Sequence, residues 1–199
     1  MSAPQPLVDV ETAYGLLESG GAPQGLRVAG VLDYSRATGR RLPREFPQKL
    51  TVDVLNLSGS DVTQLPRGLH AYEIVLAETP IRSLPDDLQV EARLDLTRCE
   101  RLESLPPGLT VGTLILRGCT ALKALPENLD VWFLDLSGCW AFERWPRSAR
   151  IRSGQLQLRG CTAVRSLPSY LGRLSAVNVR DCTTRSTWAC KLGLWIVFF

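Results

Sequence analysis

Six cysteines and a single histidine are the residues of this 199-residue chain whose chemistry would matter most if they met. Five of them, Cys99, Cys119, Cys139, Cys161 and Cys182, follow one another at intervals of 20, 20, 22 and 21 residues. Such a set could hold zinc, form disulfides, supply a thiolate nucleophile or fill a core. Zinc sites draw on close pairs such as C-x₂-C that converge on a tetrahedron, and these spacings contain none. A disulfide needs Cβ vectors that face each other, whereas a regular interval puts the thiols in a row pointing the same way. A thiolate nucleophile needs a base beside it, and His70 lies on the Leu69-x-Ala71 segment, away from most of the cysteines. The five therefore read as small buried side chains. Cys190 stands apart from the pattern and is the one thiol read as exposed.

The remaining candidates for chemistry dissolve in the same way. Asp86-Asp87 come just after Leu84-Pro85, a place for a solvated turn rather than a catalytic carboxylate pair. His70 has no histidine partners and reads as a surface or edge residue. Gly118, Gly138 and Gly160 recur once per unit just before a cysteine, which suits a tight turn and not a phosphate loop. The expectation is a protein that is not an enzyme and takes no metal or cofactor.

What must position these residues is a repeat. Aligned on a Leu-x-Leu unit, Leu55, Ile74, Leu94, Leu114, Leu134, Leu156 and Val177 are separated by 19, 20, 20, 20, 22 and 21 residues. Each unit approximates L-x-L-x-x-C-x-x-L-x-x-L-P-x-x-L-x-V. An earlier unit starts at Leu32-x-Tyr34, 23 residues before Leu55, with an insertion around Phe46 to Leu50. A period near 20 marks a solenoid, because one unit cannot bury its own apolar face and must stack on its neighbours. The cysteine position is occupied by Ser60 and Thr79 in two units whose following loops are one residue shorter, so residue type tracks loop length. Proline after Leu42, Leu65, Leu84, Leu105, Leu125, Trp145 and Leu167 removes an amide donor and favours extended backbone. The back of the solenoid is thus expected to be extended or single-turn, not helical.

The unit resembles the short bacterial leucine-rich repeat with Leu-Pro in each coil, over about residues 26–182 in seven or more registers. The resemblance implies the leucine-rich-repeat solenoid fold class, with one short parallel strand per coil and about eight coils. It also implies that the ladder residues Ser60, Thr79, Cys99, Cys119, Cys139, Cys161 and Cys182 turn inward and bond the backbone of the loop leaving each strand.

The ends differ from the middle. Residues 1–25 read as a cap carrying a small helix: Asp9 is placed as N-cap, Val10, Ala13, Leu16 and Leu17 share a face, and Gly20-Gly21 stop it. Residues 183–199 contain no L-x-x-L-P and end in LGLWIVFF, which reads as a tail foreign to the repeat, truncated or out of frame. An apolar content of 45% against 22% charged residues is that of a folded chain, not a disordered one. The start carries no basic-then-apolar signal and the longest apolar run is six residues, so a cytoplasmic protein without a membrane span is expected, unless another export route acts. Charge is uneven: 13 Lys/Arg against 19 Asp/Glu in residues 1–143, then 10 against 1 in 144–199.

Between the invariant leucines, the outward strand positions vary from coil to coil. Arg93, Asp95, Ile115, Arg117, Phe133, Asp135, Gln157, Arg159 and Arg180 are the expected contacts for a partner on the strand face, with Phe133, Ile115 and Arg117 at the centre, since aromatic and arginine side chains dominate interface energies. The partner is expected to be another protein. Two alternatives accompany this reading. The resemblance implies a substrate-recognition arm of a secreted effector ubiquitin ligase, without its catalytic domain. The Arg-rich C-terminal third, with Arg144, Arg147, Arg150, Arg152, Arg159, Arg165, Arg173, Arg180 and Arg185, would serve nucleic-acid phosphates.

Overall fold

A leucine that recurs every 20 residues is buried only if the next coil brings its own leucine alongside. A computed structural model, which describes residues 7–182 and 195–197, shows this arrangement. Leu32, Leu55, Ile74, Leu94, Leu114, Leu134, Leu156 and Val177 pair in strict succession across a parallel sheet. All eight are fully buried. The strands are β1 (Leu7–Val8), β2 (Arg27–Asp33), β3 (Thr51–Asn56), β4 (His70–Val75), β5 (Gln89–Asp95) and β6 (Thr110–Ile115), followed by β7 (Leu129–Asp135), β8 (Ala149–Ile151), β9 (Gln155–Gln157), β10 (Ala176–Asn178) and β11 (Trp195–Val197). They lie in sequence order, each crossover returning beside the last, so the sheet is a β-solenoid of eight rungs from β2 to β10. β8 and β9 together form one rung, both pairing with β7. The interruption between them is where the repeat lengthens to 22 residues.

One α-helix, α1 (Val10–Ser19), closes the N-terminal end. The Asp9 carboxylate accepts a hydrogen bond from the Thr12 amide at 2.8 Å, satisfying a first-turn donor that no helical carbonyl can reach. At the other end Gly20 takes a left-handed conformation and its N–H donates back to Leu16 and Leu17. Ala13 and Leu17 are buried as the periodicity requires, Val10 and Leu16 pack more loosely, and Tyr14 is buried with them. Tyr14 docks the helix on the first rung: its hydroxyl accepts from Asp33 N–H at 2.8 Å, and its ring stands edge-on to Tyr34 at 5.4 Å. Phe46, from the inserted segment, packs edge-on against the other side of Tyr34 at 5.7 Å. The insertion thus supplies part of the cap's core.

The segments behind the sheet are extended and joined by turns, as the prolines dictate; among the described residues two short 3₁₀ turns occur, Arg36–Thr38 after β2 and Ser169–Arg173 after Pro168. Trp145 replaces the usual leucine before proline and stacks edge-on to Phe142 at 4.9 Å. At the far end, the expectation that the chain leaves the repeat after Cys182 meets one observation of the backbone. Trp195–Val197 pair parallel with β10, Ile196 opposite Val177, which is another step of 19 residues along the ladder. Residues 183–194 and 198–199, including Cys190, lie outside the described residues.

Leaving each strand, the chain turns through a left-handed residue at the position before the Ser/Thr/Cys ladder. Glycine supplies it at Gly118 and Gly138, with φ of 69° and 76°. Glu78, Arg98 and Asp181 occupy the same position with φ of 59°, 57° and 62°, where a Cβ is strained. Arg98→Gly is therefore expected to raise unfolding free energy by about 1 kcal/mol, read from urea denaturation followed by circular dichroism. An unchanged or lowered stability would contradict the strain at this turn.

Candidate functional site

The ladder residues are linked chiefly through the backbone between them, with one direct side-chain contact, Thr79 Oγ1 to Cys99 Sγ at 3.5 Å. Each cysteine N–H donates to the leucine or valine three residues before it, as from Cys119 to Leu116 at 3.1 Å. Each Sγ–H reaches instead to the preceding coil: Cys99 to Leu76 O at 3.1 Å, Cys119 to Leu96 O at 3.1 Å, Cys139 to Leu116 O at 2.9 Å, Cys161 to Leu136 O and Cys182 to Leu158 O at 3.0 Å. A carbonyl buried in the core thereby receives both a turn amide and the thiol of the next coil, using both of its lone pairs. Ser60 and Thr79 donate within their own turn, to Leu57 O at 2.7 Å and Leu76 O at 2.8 Å. Their coils lack the extra residue that the cysteine coils fold into a second turn, closed by Leu102 N–H to Cys99 O at 3.0 Å. All five thiols are free and buried.

The outward rows are more divided in role than their spacing implies. Asp95 and Asp135 are 7% and 1% exposed, although they sit on the outward side. One oxygen of Asp135 accepts the Ser137 amide at 2.9 Å, and the other takes Arg117 Nε at 2.5 Å. Asp95 does the same with Thr97 N–H at 2.9 Å, Thr97 hydroxyl at 2.6 Å and Arg93 at 2.6 Å. Asp33, Asn56 and Asn178 make the equivalent side-chain bond to the amide two residues on. This is an Asx turn, so the acidic members of the row hold the strand exit. Their arginines lie over them: Arg93 also contacts Glu73 at 3.4 Å. In the C-terminal rungs Asn178 donates to Gln157 at 2.9 Å, and Arg159 contacts Asp181 at 3.2 Å. Arg180 is exposed at the rim of the last of these rungs.

Two aromatic side chains absent from the expected contacts project from this face. Two residues, not one, separate the inward side chains Ala71 from Ile74 and Val131 from Leu134. Strict alternation therefore fails and both intervening residues turn outward, a spacing that β3 and β6 share, so β4 pairs with β3 and β7 with β6 without a register shift. The shift lies in β5, where Glu91 and Ala92 both stand opposite Tyr72. In β4 this exposes Tyr72 by 57%, and in β7 it exposes Trp132 by 60%, while Phe133 beside it is half-buried. The V-x-x-L spacing is the sequence signal that marks them. Between the two aromatics the same position holds Ala92 and Gly112. A Cβ on Gly112 would stand 2.6 Å from the Ala92 carbonyl oxygen, so only glycine fits. Tyr72 and Trp132 thus rise at either end of a low floor two rungs wide.

Other sequence candidates stay apart. His70 Nε2 pairs with Glu91 at 3.0 Å at the edge of the sheet, with no cysteine partner. Asp86 and Asp87 line an open groove of about 450 Å³ with Leu84, Pro85, Leu105 and Pro106 on the back of the solenoid. Much of the C-terminal arginine set is engaged with carboxylates: Arg152 forks onto Asp130 at 2.8 and 2.6 Å, Arg150 contacts it at 3.7 Å, and Arg144 contacts Glu143 at 3.8 Å. The Arg152 guanidinium holds the Asp130 carboxyl below the usual carboxylate range. No helix among the described residues is long and apolar enough to cross a membrane.

No protein-family model and no curated protein matches the sequence. Among solved structures the chain is similar to the leucine-rich repeat domain of the type III effector XopL. The two are 21% identical, with 94% of this chain and 80% of that chain covered and a TM-score of 0.43.

The buried thiols have a consequence for stability. Burial pushes the Cys99 and Cys161 thiols up, and the neighbouring Cys139 together with burial raises that of Cys119. A thiol pushed up in the folded state contributes its full share of stability below the unfolded value near pH 8.5. That share is lost as pH rises above it, at about 1.4 kcal/mol per unit. Between pH 8 and pH 10 the wild type should lose about 2 kcal/mol more than Cys161→Ala, measured by urea unfolding in reductant. Parallel losses would show that Cys161 ionises as readily folded as unfolded.

Proposed function

We propose that the protein is a noncatalytic binding module whose strand face docks a protein partner. The observation that carries this reading is Trp132, 60% exposed on a rung whose inward residues Leu134 and Leu136 are fully buried. An indole left in water on a rigid sheet forgoes the burial that drives its neighbours inward. Around it lie half-buried Phe133 and Ile115 and exposed Arg117. A large aromatic with an arginine farther along the same face is the composition of an interface anchor, and the variable rim set by Gln157, Arg159 and Arg180 would supply selectivity. Arg93 and Arg117, oriented by Asp95 and Asp135, would present guanidinium groups without loss of side-chain freedom on binding.

The test is an affinity capture from the native host, comparing wild type with the double variant Trp132→Ala/Arg117→Ala. Trp132 lies outside the core, so Trp132→Ala alone should change the melting temperature by no more than a few degrees. Arg117→Ala also strips the buried Asp135 carboxylate of its ion-pair partner, and the single variant is therefore the control for folding. A partner held by the wild type should fall by at least about tenfold in the variant. An identical set of captured proteins would place the binding surface elsewhere.

A further inference from the structure

The chemistry around the two exposed aromatics is not symmetric, and the asymmetry describes the occupant. Tyr72 stands among carboxylates. Asp53 holds the corresponding position on β3, Glu91 precedes the floor residue Ala92 on β5, and Glu73 is its immediate neighbour. Asp53 uses one oxygen to accept Gly30 N–H at 2.7 Å, Glu91 pairs with His70, and Glu73 is within 3.4 Å of Arg93. Asp53 and Glu91 nevertheless remain exposed. Residues 51–143 carry 14 Asp/Glu against 7 Lys/Arg, so the field over these rungs is negative. Trp132 stands at the other end, beside Phe133, with Thr113 and Ile115 on the neighbouring rung.

We propose that this face takes an extended peptide segment of a partner protein that places an apolar side chain against Trp132 and Phe133 and a lysine or arginine against Tyr72. This rests on the strand-face reading above and adds the partner's chemistry. Rungs about 4.8 Å apart put the two anchors about 14 Å from each other. An extended chain covers that distance in about four residues. Ala92 and Gly112 leave the intervening floor low enough for a peptide backbone to lie across it. The cation would meet the face of the phenol ring with carboxylates on neighbouring rungs, so ring quadrupole and carboxylates act with the same sign. An acidic residue there would face repulsion instead.

Three fluorescein-labelled decapeptides test this, each with one phenylalanine and, four residues away, arginine, glutamine or glutamate. Both chain directions are made, and binding to the full chain is followed by fluorescence anisotropy. The arginine peptide should bind about threefold to tenfold more tightly than the glutamine peptide, and the glutamate peptide most weakly. Trp132→Ala should weaken all of them by about tenfold. Tyr72→Leu, and separately the pair Asp53→Asn/Glu91→Gln, should remove the arginine preference while leaving the glutamine peptide unchanged. The amide replacement at Asp53 keeps an acceptor for Gly30. Glutamate bound as tightly as arginine, a preference that survives these variants, or no binding of any peptide would overturn the proposal. Peptides that bind but ignore Trp132→Ala would count against the strand-face reading itself.

Discussion

The structure depends on one constraint: a 20-residue coil has too little apolar surface to bury alone, so each leucine must find its counterpart one rung away. The file from Leu32 to Val177 is the result, eight side chains in register and fully buried. Stability in such a stack is a sum of contacts between neighbours rather than the property of a single centre. The ends are consequently the weak points. The N-terminal one is closed by α1, fixed through Tyr14 to Asp33 and through Tyr34 to Phe46 of the inserted segment.

The backbone inside the stack is satisfied by the same stepwise logic. A carbonyl that points into a leucine core has no water to bond, and leaving it unpaired would cost about 1–3 kcal/mol. The cysteine ladder answers this by sending each thiol across to the coil before it, while Ser60 and Thr79 serve shorter turns from within. Burial holds the Cys99 and Cys161 thiols neutral, so these two are not poised for thiolate chemistry. Reactive-looking residues at fixed intervals turn out to be hydrogen-bond donors for a buried backbone.

The inward half of this molecule was legible in the sequence because every coil repeats it. The register of Leu55 with Ile74, and of Leu134 with Leu156 despite a 22-residue step, follows from alignment alone. Asp9 as helix cap and the extended back imposed by Leu-Pro are equally local. The outward half was harder, because one position serves two purposes. Asp95 and Asp135 alternate with Val75 and Ile115 in the same row, yet the acids close Asx turns while the apolar residues face outward. The outward position alone does not separate those roles; the side chain does, because only Asp or Asn carries the acceptor that an Asx turn needs. Trp132 and Tyr72 are missed where strand residues are taken to alternate strictly, though the two-residue gap between Val131 and Leu134 encodes the departure. Pairing of Ile196 opposite Val177 was obscured because the intervening chain lacks the repeat's Leu-Pro.

A rigid inward ladder with a variable outward face separates folding from recognition, and that separation is what the account asserts. Hydroxyl-radical footprinting of the protein alone and with its captured partner tests it at side-chain resolution. Trp132 and Tyr72 should lose oxidation on complex formation, while Trp140, 61% exposed on the loop beyond the strand exit, should keep its reactivity. Protection of Trp140 with Trp132 unchanged would contradict the account.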